Sequence, residues 1–170
     1  MKDFRDLCQL RRSIRTFTNQ PVEREKIDYI LQCALMSPSG KRLNPWELVV
    51  VTDEAVLREI AGCKTYGSQM FNTAMAGIVV ALDSSLSDTW QADGAIVAEH
   101  IQLAATEQGL GACWCQVCGR DESEAMVRRL TNIPEKYSVL CVIALGYKNE
   151  ERKNYDLEKL FYNKVHNEKF

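Results

Sequence analysis

The 170-residue sequence has only two histidines and four prolines, and no apolar run approaches the roughly 20 residues a membrane span needs. The start, MKDFRDL, is charged and lacks the apolar segment of a signal peptide, so the expected location is the cytoplasm, with no membrane partner. Neither charge sign is in excess. Lys plus Arg total 21 against 23 Asp plus Glu, a net charge of −2, which excludes a general attraction for nucleic acid or anionic surfaces. Any anion binding must come from local clusters. No convincing catalytic triad is legible either: His100 falls inside the longest helix candidate and His166 in a charged tail, and both read as structural or surface residues. Low-complexity tracts and internal repeats are missing, so nothing points to a second domain. What is present, 46% hydrophobic residues in a chain of this length, is enough for one core, and residues 1–170 read as a single domain.

Seven cysteines is a high count, but it is odd, and neighbours such as those in SVLCVIA suit buried reduced thiols better than a disulfide framework. Along the chain, residues 3–10 predict a short helix with Phe4, Leu7 and Cys8 on a buried face. EREKIDYILQCALM carries Ile27, Ile30, Leu31 and Ala34 at helical spacing until Ser37-Pro38 stops it. Four apolar strands follow, in ELVVV, GIVVALD, ACWCQVC and YSVLCVIALGY, interleaved with helices through EAVLREIAG, residues 90–109 and ESEAMVRRLTN, and with a looser stretch YGSQMFNTAM. The expectation is α+β or α/β on about four core strands. The 90–109 helix has little polar face, which fits a central core helix, a subunit interface, or both. Residues 148–170 are charged with isolated aromatics and have too little core to fold unaided, so they should lie across the domain or across a partner subunit.

Three segments hold candidate chemistry. RRSIR, residues 11–15, concentrates three guanidiniums and a hydroxyl where the first helical pattern gives out, a set that suits phosphate oxygens. The same residues also make an arginine-rich helix end that complements the macrodipole and pairs with Glu23 and Glu25. SPSGKRLNPW offers Lys41, Arg42 and Asn44 as donors and Trp46 as an anchor, though Ser, Gly, Asn and Pro are also ordinary loop residues. GLGACWCQ can cradle a planar ligand beside Trp114, or simply end a helix and begin a strand.

Taken together and in this order, RRSIRTF, SPSGKRLNPW and GLGACW resemble the FMN-dependent nitroreductase family, and the resemblance runs over nearly the whole chain, through DSSLSDTWQADGAIVAEHIQLAATEQGLG to the final ALGY. It implies an α+β nitroreductase-like fold, a mostly antiparallel sheet of about four to five strands flanked by helices. It also implies an intertwined homodimer with FMN at the subunit interface. In that resemblance Arg11, Arg12, Ser13 and Arg15 match the motif holding the FMN phosphate, ribityl chain and pyrimidine edge. Pro38, Ser39, Gly40 and Arg42 match a loop reaching the flavin from the other subunit. Trp114, Cys115 and Gln116 match a strand passing along the isoalloxazine, and Arg152 and Lys153 a basic tail segment meeting the phosphate. The family often reads Asn-x-Gln-Pro-Trp where this chain has Arg42 and Asn44, and residues 64–73 stand in for a longer helical excursion. The implied activity is ping-pong hydride transfer from NADH or NADPH through FMN to a small electron-poor acceptor such as a nitroaromatic or quinone. Arginines would offset the phosphate charge and that of reduced flavin.

Two other classes fit parts of the sequence. A flavin-storing or flavin-sensing protein would use the same binding residues. A metal module would draw on Cys113, Cys115 and Cys118, with Cys63, in a C-x-C-x-x-C spacing. In a strand, Cys113 and Cys115 share one face while Cys118 falls on the other, and no second close pair completes four ligands, so no metal site is expected.

Overall fold

The computed structural model describes residues 3–170. Four strands form one antiparallel sheet: β1 (Trp46–Val51), β2 (Ala76–Asp83), β3 (Gly111–Gln116) and β4 (Tyr137–Gly146), in the order β1-β2-β4-β3. The two central strands are the ones whose sequences are apolar on both faces. That composition is stable only where helices cover both sides of a sheet. Register alternates the side chains between two cores. Ile78, Val80, Leu82, Ile143 and Leu145 face one core; Val79, Ala81, Val142 and Ala144 face the other.

Helices α2 (Arg24–Leu35) and α4 (Trp90–Glu107) cover the first face, burying Ile27, Ile30 and Ala34 from one and Val97, Ala98, Ile101 and Ala105 from the other. Helices α3 (Glu54–Ala61) and α5 (Asp121–Thr131) cover the second. Asp53 caps α3, its carboxylate accepting from the N–H groups of Ala55 and Val56 at 2.8 and 3.2 Å. The looser stretch tightens into a 3-10 turn, Gln69–Asn72, which seats Met70 and Phe71 in the core.

Helix α1 (Phe4–Leu10) departs from expectation. It forms, capped by Asp3, but none of its residues is buried, and Phe4 is 71% exposed. The apolar spacing predicts a buried face; within this chain α1 lies mainly along the flank of α4. Phe4 and Leu7 line a shallow apolar hollow with Cys33, His100 and Leu103.

Past α1 the chain runs extended against the end of the sheet. Ser13 bridges Ala112 in parallel, Ile14 N–H donates to the Ala112 carbonyl at 3.0 Å, and Phe17 bridges Lys148. Two glycines allow this approach. A Cβ on Gly111 would stand 2.8 Å from Cβ of Ile14, and one on Gly146 2.9 Å from Cδ1 of Phe17. After β4 the chain folds back on the same segment. Asn149 N–H donates to the Thr16 carbonyl at 2.9 Å and Tyr155 N–H to the Gln9 carbonyl at 3.1 Å. From residue 151 onward every residue is exposed, through two short 3-10 turns, Leu157–Lys159 and Tyr162–Lys164. No described helix is long and apolar enough to cross a membrane.

Candidate functional site

The ends of the chain meet at a cavity of about 600 Å³ lined by Leu10, Arg12, Ile14, Lys148, Arg152 and Lys153, together with Glu150, Glu151 and Asn154. The antiparallel return of the tail along residues 9–18 makes this meeting possible. Of the sequence-selected cations, Arg12, Arg152 and Lys153 line the cavity directly. Arg12 is fixed twice: its Nη1 donates to the Lys153 carbonyl at 2.7 Å, and its guanidinium stacks 4.3 Å from the centroid of the Tyr155 ring. Arg11 sits one step away, donating to the Tyr155 hydroxyl at 3.4 Å and pairing with Glu99 at 3.5 Å. Ser13 contributes its backbone to the β3 bridge, and Arg15 N–H donates to Oε1 of Glu150.

Glu150 organises this end of the molecule. One oxygen accepts from the N–H groups of Arg15 and Thr16, and the other pairs with Arg152 at 2.6 Å. Partial burial pushes its pKa up, but the Arg15 N–H bond and the Arg152 charge outweigh this and hold it below the ordinary value. The alternative pairing of the arginines with Glu23 and Glu25 does not occur. Glu23 accepts from the Tyr147 hydroxyl and lies 3.8 Å from Lys26.

Pro38, Ser39, Gly40, Arg42 and Asn44 lie elsewhere, between α2 and β1, and none of them lines the cavity. Three non-glycine residues here have left-handed backbone: Lys41 (φ 53°), Arg42 (φ 58°) and Asn44 (φ 45°). Such conformations persist only when surrounding bonds impose them. Ser39 and Asn44 close the loop, Asn44 N–H donating to Ser39 Oγ and Ser39 Oγ to Asn44 Oδ1, both at 2.9 Å. Buried Asp93 anchors it to α4, one carboxylate oxygen accepting from Gly40 N–H at 2.8 Å and the other from Ser87 Oγ at 2.9 Å. The smallness of Gly40 has a local use: a Cβ there would stand 2.9 Å from Thr89 Oγ1. Asp93→Ala leaves those donors buried without an acceptor, so it should destabilise the protein by about 2 kcal/mol. For a chain of this size that lowers Tm by about 4–8 °C. Thermal unfolding checks this, and Asp93→Asn, which retains one acceptor oxygen, should fall between.

On β3 the three selected residues separate. Trp114 is half-buried on the α4 side, its Nε1 donating to Gln116 Oε1 at 3.0 Å, while Gln116 Nε2 donates to the Cys118 carbonyl at 3.2 Å. Cys115 points to the opposite core and is fully buried, so its side chain cannot meet a ligand lying over Trp114. Only its backbone remains available to one. Cys113 shares the core of Cys115 and Cys118 packs against the other, as strand alternation requires. Among the described residues no three His, Cys, Asp or Glu side chains are placed to hold a metal.

Sequence reasoning missed Glu150 and Tyr155, which look like any residues of a charged tail, and Asp93. Asp93 did carry a faint signal, being an acid in the first turn of a helix rich in alanine.

The chain is similar in sequence and in fold to known proteins. The family model described as Nitroreductase family matches residues 9–64 and 64–147. A protein of Archaeoglobus fulgidus with the provisional name NADH dehydrogenase/NAD(P)H nitroreductase is 35% identical over the full length of both chains. The solved structure of an FMN-dependent nitroreductase from Clostridium difficile R20291 superposes with a TM-score of 0.94 at 40% identity, covering 96% of this chain and 98% of that one. An NADPH:FMN oxidoreductase from Vibrio harveyi, solved with NAD+, gives a TM-score of 0.79 at 25% identity over 97% of this chain and 76% of that one.

Proposed function

The chain belongs to the nitroreductase family, and from that premise we propose that it is an FMN-dependent NAD(P)H oxidoreductase acting on a small, planar, electron-poor acceptor of the nitroaromatic or quinone type. The observation that carries the reading is the convergence of Arg12, Lys148, Arg152 and Lys153, from opposite ends of the chain, on one cavity of about 600 Å³. The donor set suits a phosphate monoester. Two guanidinium forks and two ammonium groups supply charge-assisted hydrogen bonds. Of the two carboxylates in the same wall, Glu150 and Glu151, the first is already engaged by backbone N–H groups and Arg152, and the four cations outnumber both.

When bound, FMN supplies the redox chemistry, accepting a hydride from the nicotinamide and passing reducing equivalents to the acceptor. The residues of this chain then have positioning and electrostatic roles. Arg12, Arg152 and Lys153 would hold the phosphate, with Arg11 and Ser13 beside them. Arg15, whose backbone is pinned by Glu150, would direct its guanidinium toward the pyrimidine edge, where negative charge gathers on reduction. Trp114 would offer a flat apolar wall, and the backbone N–H groups of Cys115 and Gln116 the donors beside the ring. The loop with Pro38, Ser39, Gly40, Arg42 and Asn44 is remote from the cavity of its own chain, which supports its serving the cavity of a second copy. The reading includes a homodimer, which the exposed apolar groups of α1 and the tail support.

Anaerobic visible spectroscopy tests the reading. The protein, as purified or after incubation with FMN, should show a two-banded flavin spectrum that bleaches with NADH or NADPH and returns with a quinone. A protein that stays colourless overturns cofactor binding. A bound flavin that no nicotinamide reduces leaves the storage or sensing role instead.

A further inference from the structure

The side chains of Cys63 and Cys115 take no part in the chemistry above, yet the fold places them in one core. Cys63 follows the C-cap of α3, and Cys115 lies in β3 on the face opposite Trp114; both pack in the same core. Two hydrogen bonds fix their chain segments. Lys64, next to Cys63, donates from Nζ to the carbonyl of Gln116, next to Cys115, at 2.9 Å. Ser123 Oγ donates to the Cys63 carbonyl at 2.7 Å. The two side chains thus share one core, on chain segments that Lys64 ties together.

Access is unequal. Cys63 lines a solvent-open cavity of about 640 Å³ with Lys64, Thr65, Arg120 and Ser123, whereas Cys115 lies behind it and is fully buried. One thiol can therefore meet a small solute while the other can meet only its neighbour. We propose that Cys63 and Cys115 form a peroxide-oxidised dithiol couple, with Cys63 the attacking sulfur and Cys115 the resolving one.

The electrostatics favour these roles. The neighbouring Cys115 thiol, helped by Ser68 and the Lys64 ammonium, brings Cys63 down to about 7 against the effect of burial. The same pairing and burial hold Cys115 above its ordinary value, as a thiol. In the first step the Cys63 thiolate attacks one oxygen of hydrogen peroxide; the O–O bond breaks, hydroxide leaves and takes up a proton, and Cys63 becomes a sulfenic acid. In the second, the Cys115 sulfur attacks the Cys63 sulfur, the S–O bond breaks, and the hydroxyl departs as water with the Cys115 proton. Together two thiols and one peroxide give one disulfide and two waters. A dithiol reductant reverses the change.

The test is peptide mapping of the purified protein after brief treatment with a few equivalents of hydrogen peroxide, with alkylation under denaturing conditions and no nicotinamide present. The readout does not depend on a flavin, so it stands or falls apart from the function proposed above. A Cys63–Cys115 link should form at least about tenfold faster than exposed Cys8 is oxidised, because a thiol brought down to about 7 is substantially thiolate at neutral pH. In Cys115→Ser, dimedone should label Cys63 instead. If Cys63 alkylates fully after peroxide, or links to a different cysteine, the proposal is wrong. The wild-type map decides this even if the serine variant fails to fold.

Discussion

Arg12→Ala should weaken FMN binding by about 10- to 100-fold, the equivalent of the roughly 1.5–3 kcal/mol that a hydrogen bond to a charged group contributes. Arg12 is chosen over its neighbours because it lines the cavity and is already held in place. Its guanidinium rests on Tyr155 and bonds the Lys153 carbonyl, so no side-chain ordering is required when an anion arrives. Arg12→Lys keeps the charge and loses the fork, and should recover only part of the affinity. The effect should grow as ionic strength falls, since the cavity is open to solvent. Titration of FMN, followed by quenching of its fluorescence, measures all three proteins. Unchanged affinity in Arg12→Ala, with Tm unaltered, would remove this cavity from the cofactor site.

Removal of residues 157–170 should raise the dimer dissociation constant by at least about 100-fold. Leu160, Phe161, Tyr162 and Val165 are 40, 72, 63 and 68% exposed and join neither core of their own chain. Apolar groups so placed are expected to cover a partner. Burial of only two such side chains stabilises an association by about 3–6 kcal/mol, which is enough for a 100-fold change. The cut leaves Tyr155 and its bonds to Gln9 intact, so the tail's return along the N-terminal segment survives. Sedimentation across a concentration series reads the result. Equal dissociation constants for the two forms would mean that the tail holds no partner, and the apolar face of α1 would then be the surface to mutate.

The two experiments probe different kinds of contact. The cavity is built within one chain from segments about as far apart in sequence as the chain allows. The loop around Gly40 is anchored to α4 by Asp93, and the tail beyond Tyr155 is exposed; neither lines this cavity.

Much of the architecture was readable in the sequence because it follows from local periodicity. Ile27, Ile30 and Ala34 repeat with the helical period and are buried on one side of α2; IVVAL and VLCVIAL are apolar at every position and lie in the central strands. Even the separation of Cys113 from Cys118 follows from alternation along a strand. Periodicity says which face of an element is apolar, but not what covers it. Phe4, Leu7 and Cys8 have the pattern of a buried face, yet Phe4 and Cys8 are exposed and Leu7 is only partly covered.

The arginine cluster divides in the same way. That RRSIR gathers cations at a helix end is a property of five adjacent residues, and composition alone left an anion site and a charge-paired helix end both open. That Arg12 rests on Tyr155, that Glu150 pins the backbone of Arg15 and Thr16, and that Asp93 ties down a strained loop were decided by the tertiary structure. These partners are brought together by the strand order β1-β2-β4-β3 and by the return of the tail along residues 9–18. A carboxylate becomes an anchor only when the chain delivers unpaired N–H groups to it, and nothing in the residues adjacent to Glu150 or Asp93 specifies that delivery.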